Sequence, residues 1–208
     1  MGQDRIHDFI FSGFVLPAEI HVQGHGVWLR EWVDDDVPVM VDLFDEERVV
    51  RWTPLVSPFD ADAAREYLKR ARDFRALHRG AQLAVTVDGG EACGEVLLFR
   101  ADDGAPVDLG SDDAVSEPAP TLVGEIAYVI GARHRRQGLA ARSVRLMTEY
   151  ALRDLGADAV ILRIAPENAA SEAVARSAGF RRTDAAPVVR ERPGRRVVLH
   201  TWVKREPA

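Results

Sequence analysis

Cysteine is almost missing from this chain: Cys93, inside the apolar run EACGEVLLF, is the only one. No disulfide can form within it, and no cysteine-based metal centre either. Cys93 itself reads as a small buried hydrophobe. Histidine is present, but His21, His25, His78, His134 and His200 show no metal-ligand spacing, so no metal is expected. FIFSGFVLPA, near the start, is too short to span a bilayer, is flanked by Asp4 and Asp8 and lacks the basic segment of a signal peptide. These absences lead us to expect a cytoplasmic protein with no membrane partner. The glycine patterns of a Walker loop and of a dinucleotide-binding fingerprint are both absent. An overall positive charge is missing too: the formal net charge is −6, which argues against wholesale nucleic-acid binding.

What is there is enough apolar sequence, over 208 residues, to bury one substantial core. Residues 1–22 read as an N-terminal arm and 23–208 as a single domain. GVWLREWV alternates as a strand does, and the Asp run of DDDVPVMV opens a helix. SPFDADAAREYLKRARDFRALHRG is a long amphipathic helix between Asp60 and Gly80. AQLAVTV and ACGEVLLF form a hairpin across Gly89 and Gly90. The stretch at about 100–120, RADDGAPVDLGSDDAVSEPAP, is acidic and aperiodic, hence a surface-loop insertion. Then follow a strand over Leu122–Ile130, a helix over Gly138–Leu155, a buried strand over Ala159–Ala165, a helix over Ala169–Ala178 and a last strand in GRRVVLHTWVK. Strand–helix–strand across 122–165 implies a right-handed parallel crossover. The expected class is α/β in the mixed α+β sense, with helices on both faces of a central sheet.

The turn between the first of those strands and its helix, ARHRRQGLAAR, places four arginines and a histidine at a helix start. Helix N-termini are themselves partly positive, so such crowding needs an offset. Either the arginines spread into water or an anion sits among them. Arg135, Gly138 and Ala140 form R-x-x-G-x-A. Gly lets a ligand approach the backbone, the small Ala keeps the turn open, and unpaired first-turn N–H groups point outward, which together suit a pyrophosphate. Arginines add charge-assisted hydrogen bonds.

The runs GEIAYVIGARHRRQGLAARSVRLMTEYAL and ILRIAPENAASEAVARSAGF, in that order, resemble the GCN5-related N-acetyltransferases (GNAT superfamily), most closely the RimJ/RimL-type branch. The similarity spans about Val27 to Val203, without the arm and the acidic loop. It implies the GNAT fold, a mixed and mostly antiparallel sheet with one parallel βαβ crossover. It also implies an acyl-CoA-dependent N-acyltransferase, with acetyl-CoA as the default donor and succinyl-CoA as a second, acting on a primary amine by direct attack in a ternary complex. By that resemblance Arg135, Arg136, Gln137, Gly138, Leu139 and Ala140 hold the CoA pyrophosphate. The backbone of Tyr128, Val129 and Ile130 pairs with the pantetheine arm like an added strand. The tyrosine that many relatives use as proton donor is Ala175 here. In the RimJ/RimL branch the N-x-x-S turn takes over, which assigns Asn168 to the pantetheine arm and Ser171 to the CoA sulfur. Read as local structure instead, Asn168 is an N-cap and Ser171 a helix-start residue.

Glu125, a carboxylate amid LVGEIAYVI, is the candidate base and a substrate contact, unless it pairs with an arginine. Trp52, with Asp45, Glu46 and Glu47 nearby, falls where relatives line the acceptor pocket; acidic and aromatic groups suit a cationic amine, while the alternative is a core tryptophan and a solvated acidic face. Family habit and the apolar VVLHTWV imply a homodimer. Two other readings stand beside the enzyme: a non-catalytic CoA-binding regulatory module, and an arginine patch for nucleic acid, which free CoA would not displace.

Overall fold

The computed structural model describes residues 14–105, 107–110, 122–192 and 195–205. Most of the expected arm (1–13) and much of the expected insertion (106 and 111–121) lie outside the described residues. What remains of the arm belongs to the body of the protein: Phe14, Leu16 and Ile20 are buried in the main core.

Among the described residues, β1 (His21–Gly24), β2 (Val27–Glu31), β3 (Gly80–Thr86), β4 (Gly94–Arg100) and β5 (Val123–Ile130) form an antiparallel run in chain order. β6 (Ala159–Ile164) then joins β5 in parallel, β9 (Arg195–Lys204) joins β6 antiparallel, and β7 (Arg181–Arg182) and β8 (Val188–Arg192) both pair with β9. This is the mixed, mostly antiparallel sheet with one parallel crossover that the sequence led us to expect. No helix of the described residues is long and apolar enough to cross a membrane.

One face of the sheet is covered by α4 (Leu139–Arg153), which buries Leu139, Val144, Met147 and Ala151 against Val96, Leu98 and Ile126. The helix turns its Arg142 and Arg153 outward, as its periodicity dictates. The other face carries α1 (Val37–Phe44), α2 (Glu47–Trp52) and α3 (Ala61–Ala76), packed on Trp32 and Ala84. α3 starts where Asp60 accepts hydrogen bonds from the N–H groups of Asp62 and Ala63 at 3.1 and 2.9 Å. The helix signalled by the Asp run is in fact two. Glu46 is extended at its N-cap, and the Asp45 carboxylate turns away to accept from the N–H of Phe59 at 3.0 Å.

One detail of register positions the cleft. β5 and β6 pair only from Val123–Ala159 to Glu125–Ile161 and part beyond that point. The second halves of the two strands diverge, and α5 (Ala169–Ser177) starts beyond the far side of the gap.

Candidate active site

Where β5 and β6 separate, a cleft of about 690 Å³ opens, walled by both strands, the end of α2 and the β8–β9 hairpin. It gathers Trp52, Glu125, Tyr128, Val129, Asn168 and Ser171, six residues singled out from the sequence. Ile130 is buried beside the cleft without lining it, and residues 135–140 form the turn into α4 at the end of β5.

That turn is built to leave its amides open. Arg136 and Gly138 take left-handed backbone conformations, with φ of 61° and 73°, and Gly138 is the N-cap of α4 with no side chain to accept its first-turn N–H groups. A Cβ on Gly138 would meet nothing nearer than Arg142 Nε at 4.0 Å, so the space over the turn is free. These features fit an anion at the helix start. The crowded arginines are offset partly inside the chain. Arg135 forms a two-pronged ion pair with Glu46, one contact being 2.6 Å from Nη1, and its Nε donates to the Ile130 carbonyl at 2.9 Å. Arg133 pairs with Asp42 at 3.3 Å, and Arg142 donates to backbone carbonyls of His25, Gly26 and Gln137. Arg136 stays exposed beside Gly138. Two arginines of the turn are thus tied to the α1–α2 segment.

At the other wall, Asn168 accepts from the N–H of Ser171 at 3.1 Å and so caps α5, while both residues still line the cleft. Ala175 is fully buried. The Tyr128 hydroxyl is buried and closes no hydrogen bond of normal geometry among the described residues. Burial pushes its pKa up to about 12, against a smaller opposing pull from Ser171. Ser171 is a near polar neighbour, then, rather than a satisfied partner.

Glu125 is 3% exposed, and both of its oxygens are engaged by Arg190 of β8, at 2.9 and 2.7 Å. The sequence had left open whether this carboxylate works as a base or pairs with an arginine, and it does pair.

Glu95 of β4 was not picked out from the sequence. It is 1% exposed and lines the cleft, accepting from Trp32 Nε1 at 2.9 Å and from the Tyr67 hydroxyl at 2.8 Å. Burial raises its pKa to about 7, with the two hydrogen bonds holding it from going higher. Trp32 and Tyr67 are fixed by edge-to-face contacts with Phe44. In register Glu95 lies directly opposite Val129, so the two side chains share one face of the sheet as near neighbours. A carboxylate poised near neutrality can take a proton from an ammonium group in water at physiological pH.

A family profile described as Acetyltransferase (GNAT) domain matches residues 27–181. No curated protein matches the chain by sequence. Among solved structures, a GNAT-family acetyltransferase from Bacillus anthracis superposes with a TM-score of 0.71 at 14% identity, covering 90% of this chain and 99% of that one. Mycobacterium smegmatis RimJ in complex with CoA-disulfide gives 0.70 at 16% identity, over 90% and 87% of the two chains. Ribosomal-protein-S5-alanine acetyltransferase from Vibrio fischeri gives 0.67 at 12%, over 90% and 97%. Likeness at these identities shows the shared fold.

Proposed function

Because the chain belongs to the GNAT acetyltransferase family, we propose that it transfers an acyl group, acetyl by default, from acyl-CoA to a primary amine held in the cleft. A small molecule and a protein N-terminus are both acceptors of this chemistry, and succinyl-CoA is the second donor to try. The observation that carries the reading is the position of Glu95. A buried carboxylate with a pKa of about 7 stands across from Val129 on the strand that ends in the open turn of α4.

Bound acyl-CoA supplies the activated thioester; the chain's residues bind, orient and move the proton. The first-turn N–H groups after Gly138, flanked by Arg136 and Gln137, receive the pyrophosphate, and Leu139 anchors that turn in the core. Ala140 keeps the approach small. The open side of β5 over Tyr128–Ile130 would offer backbone groups to the pantetheine amides, and an N–H of that segment would serve a developing oxyanion. Asn168 and Ser171 line the opposite wall, where the Ser171 hydroxyl would serve the CoA sulfur. Glu95 removes the proton from the acceptor's ammonium group. Glu125, with Arg190, shapes the acceptor side together with Trp52.

Arg135 acts differently from the other turn residues. Its pair with Glu46 fixes α2, which ends in Trp52 at the cleft. Glu46→Gln is expected to raise the acceptor KM by about fivefold, the equivalent of roughly 1 kcal/mol, and to leave acetyl-CoA affinity within about twofold of the parent. A loss confined to CoA affinity would return Arg135 to the pyrophosphate.

The reading is tested by thermal unfolding with acetyl-CoA, succinyl-CoA and free CoA, followed by thiol release on adding amines. Ligand at about 100 times Kd stabilises by roughly 2.7 kcal/mol, a rise of a few degrees for a domain of this size. A shift with CoA compounds and amine-dependent thiol release are expected. No shift with any of the three overturns the proposal.

A further inference from the structure

We propose that the acceptor carries an anionic group, a carboxylate or a phosphate, beside the amine that is acylated, and that Arg51 and Arg195 hold it. The inference deepens the acyl-transfer reading and rests on it.

From the sequence, Asp45, Glu46 and Glu47 near Trp52 pointed to a pocket for a cationic acceptor. The fold spends the first two elsewhere: Asp45 accepts from the N–H of Phe59 and Glu46 holds Arg135. None of the three lines the cleft. Arginines do. Arg163, Arg190 and Arg196 each face a carboxylate, on Asp102 at 2.7 Å, Glu125 at 2.7 Å and Glu191 at 3.0 Å.

Two cleft arginines are left over. Neither Arg51 nor Arg195 meets a carboxylate among the described residues. Arg195 donates to the main-chain carbonyls of Val50 and Arg51, which draws the β8–β9 hairpin onto the end of α2 and sets both guanidinium groups on one rim. Arg51 lies over Trp52, with 4.8 Å from its guanidinium carbon to the ring centroid. The end of a helix accounts for the contacts of Arg195, but among the described residues it gives Arg51 no polar partner. On the opposite wall stands Glu167, and the two remaining carboxylates of the cleft are engaged, Glu125 by Arg190 and Glu95 by Trp32 and Tyr67.

A chain of net charge −6 therefore turns toward the mouth of its cleft two cations that meet no carboxylate among the described residues. Guanidinium groups present paired donors that match carboxylate and phosphate oxygens. The same rim opposes an acceptor with several positive charges, so selectivity comes from repulsion as well as attraction.

The test is isothermal titration of the CoA-saturated protein with two matched pairs of amines, O-phosphoethanolamine against ethanolamine and alanyl-glutamate against alanyl-glutamine. The anionic member of at least one pair is expected to bind about tenfold or more tightly than its counterpart, the scale of one charge-assisted contact. The pair that shows the larger ratio identifies phosphate or carboxylate. Arg51→Gln alone, whose side chain supports no backbone, is expected to cut the ratio several-fold; Arg51→Gln with Arg195→Gln is expected to abolish it. The lack of an anionic preference in both pairs, binding of neither anionic amine, or an anionic preference that survives the double variant overturns the proposal. Failure of the acyl-transfer reading would show separately, as no thermal shift with acetyl-CoA, a measurement that involves none of these amines.

Discussion

Glu95→Gln is expected to lower kcat by roughly 10²- to 10⁴-fold, the range of a positioned general base, with acetyl-CoA affinity unchanged. The substitution keeps the shape of the side chain. Its amide oxygen still accepts from Trp32 Nε1, and its NH₂ group can donate to the Tyr67 oxygen, so the aromatic support of the site survives. Only the capacity to take a proton goes. For the parent enzyme kcat/KM is expected to rise with pH through about 7, where Glu95 ionises, and that limb is expected to disappear in the variant. The companion variant Glu125→Gln separates the two carboxylates. If it removes the limb while Glu95→Gln stays within about threefold of the parent, a free-energy difference under 1 kcal/mol, the base is Glu125.

The same substitution has a signature in stability. Glu95 titrates near 7 in the folded chain, against an ordinary value of 4.5, so the folded state binds this proton more tightly than the unfolded state does. The stabilisation is complete below about pH 4.5 and is lost as the pH rises through about 7; the interval between these values corresponds to on the order of 3 kcal/mol. Glu95→Gln cannot lose it. Urea unfolding from pH 5 to 8 is therefore expected to show the variant gaining on the parent as the pH rises, the difference curve isolating this one group from the other titrations.

The other large effect belongs to Gly138. Gly138→Trp is expected to raise the Kd for CoA by about 100-fold or more, equivalent to roughly 3 kcal/mol, by filling the space over the open amides of α4. The protein is expected to fold nonetheless. The added Cβ meets no atom closer than 4.0 Å, and the backbone cost is that of a left-handed φ of 73° on a residue other than glycine, about 1–2 kcal/mol. Circular dichroism and titration of free CoA check the two halves of this expectation. Unchanged CoA affinity in a folded variant would remove the pyrophosphate from this turn.

How much of this was legible beforehand depended on distance along the chain. The turn, its glycine and the apolar stripe of α4 sit within about one helix length, where periodicity and capping chemistry can be read directly. Asn168 reads as the start of α5 for the same reason. Glu95 escaped because EACGEVLLF looks like an ordinary buried strand; what marks the residue are Tyr67 and Trp32, 28 and 63 positions away. Arg190, which takes up Glu125, is 65 positions from it, on a strand hidden inside PVVRERPG. β1, β7 and β8 were missed because their sequences, HVQG, RR and VVRER, show no sustained alternation of apolar and polar residue types. The role expected for the acidic cluster beside Trp52 changed for a similar reason: the partners that occupy Asp45 and Glu46 come from α3's entry and from the far turn.

The parting of β5 and β6 has one more consequence. Beyond Glu125 the sheet has an unpaired border in its middle, not at its perimeter. Unpaired borders at a perimeter recruit foreign strands and lead to polymers, which proteins usually resist with lysines, prolines or bulges. Here depth does that work. β6 and β9 stand on one side and the end of α2 on another, so the border is recessed in a cleft and is not laid open along its length to a second sheet. A border recessed in this way is shielded from sheet-to-sheet pairing while its backbone stays within reach of a narrow molecule.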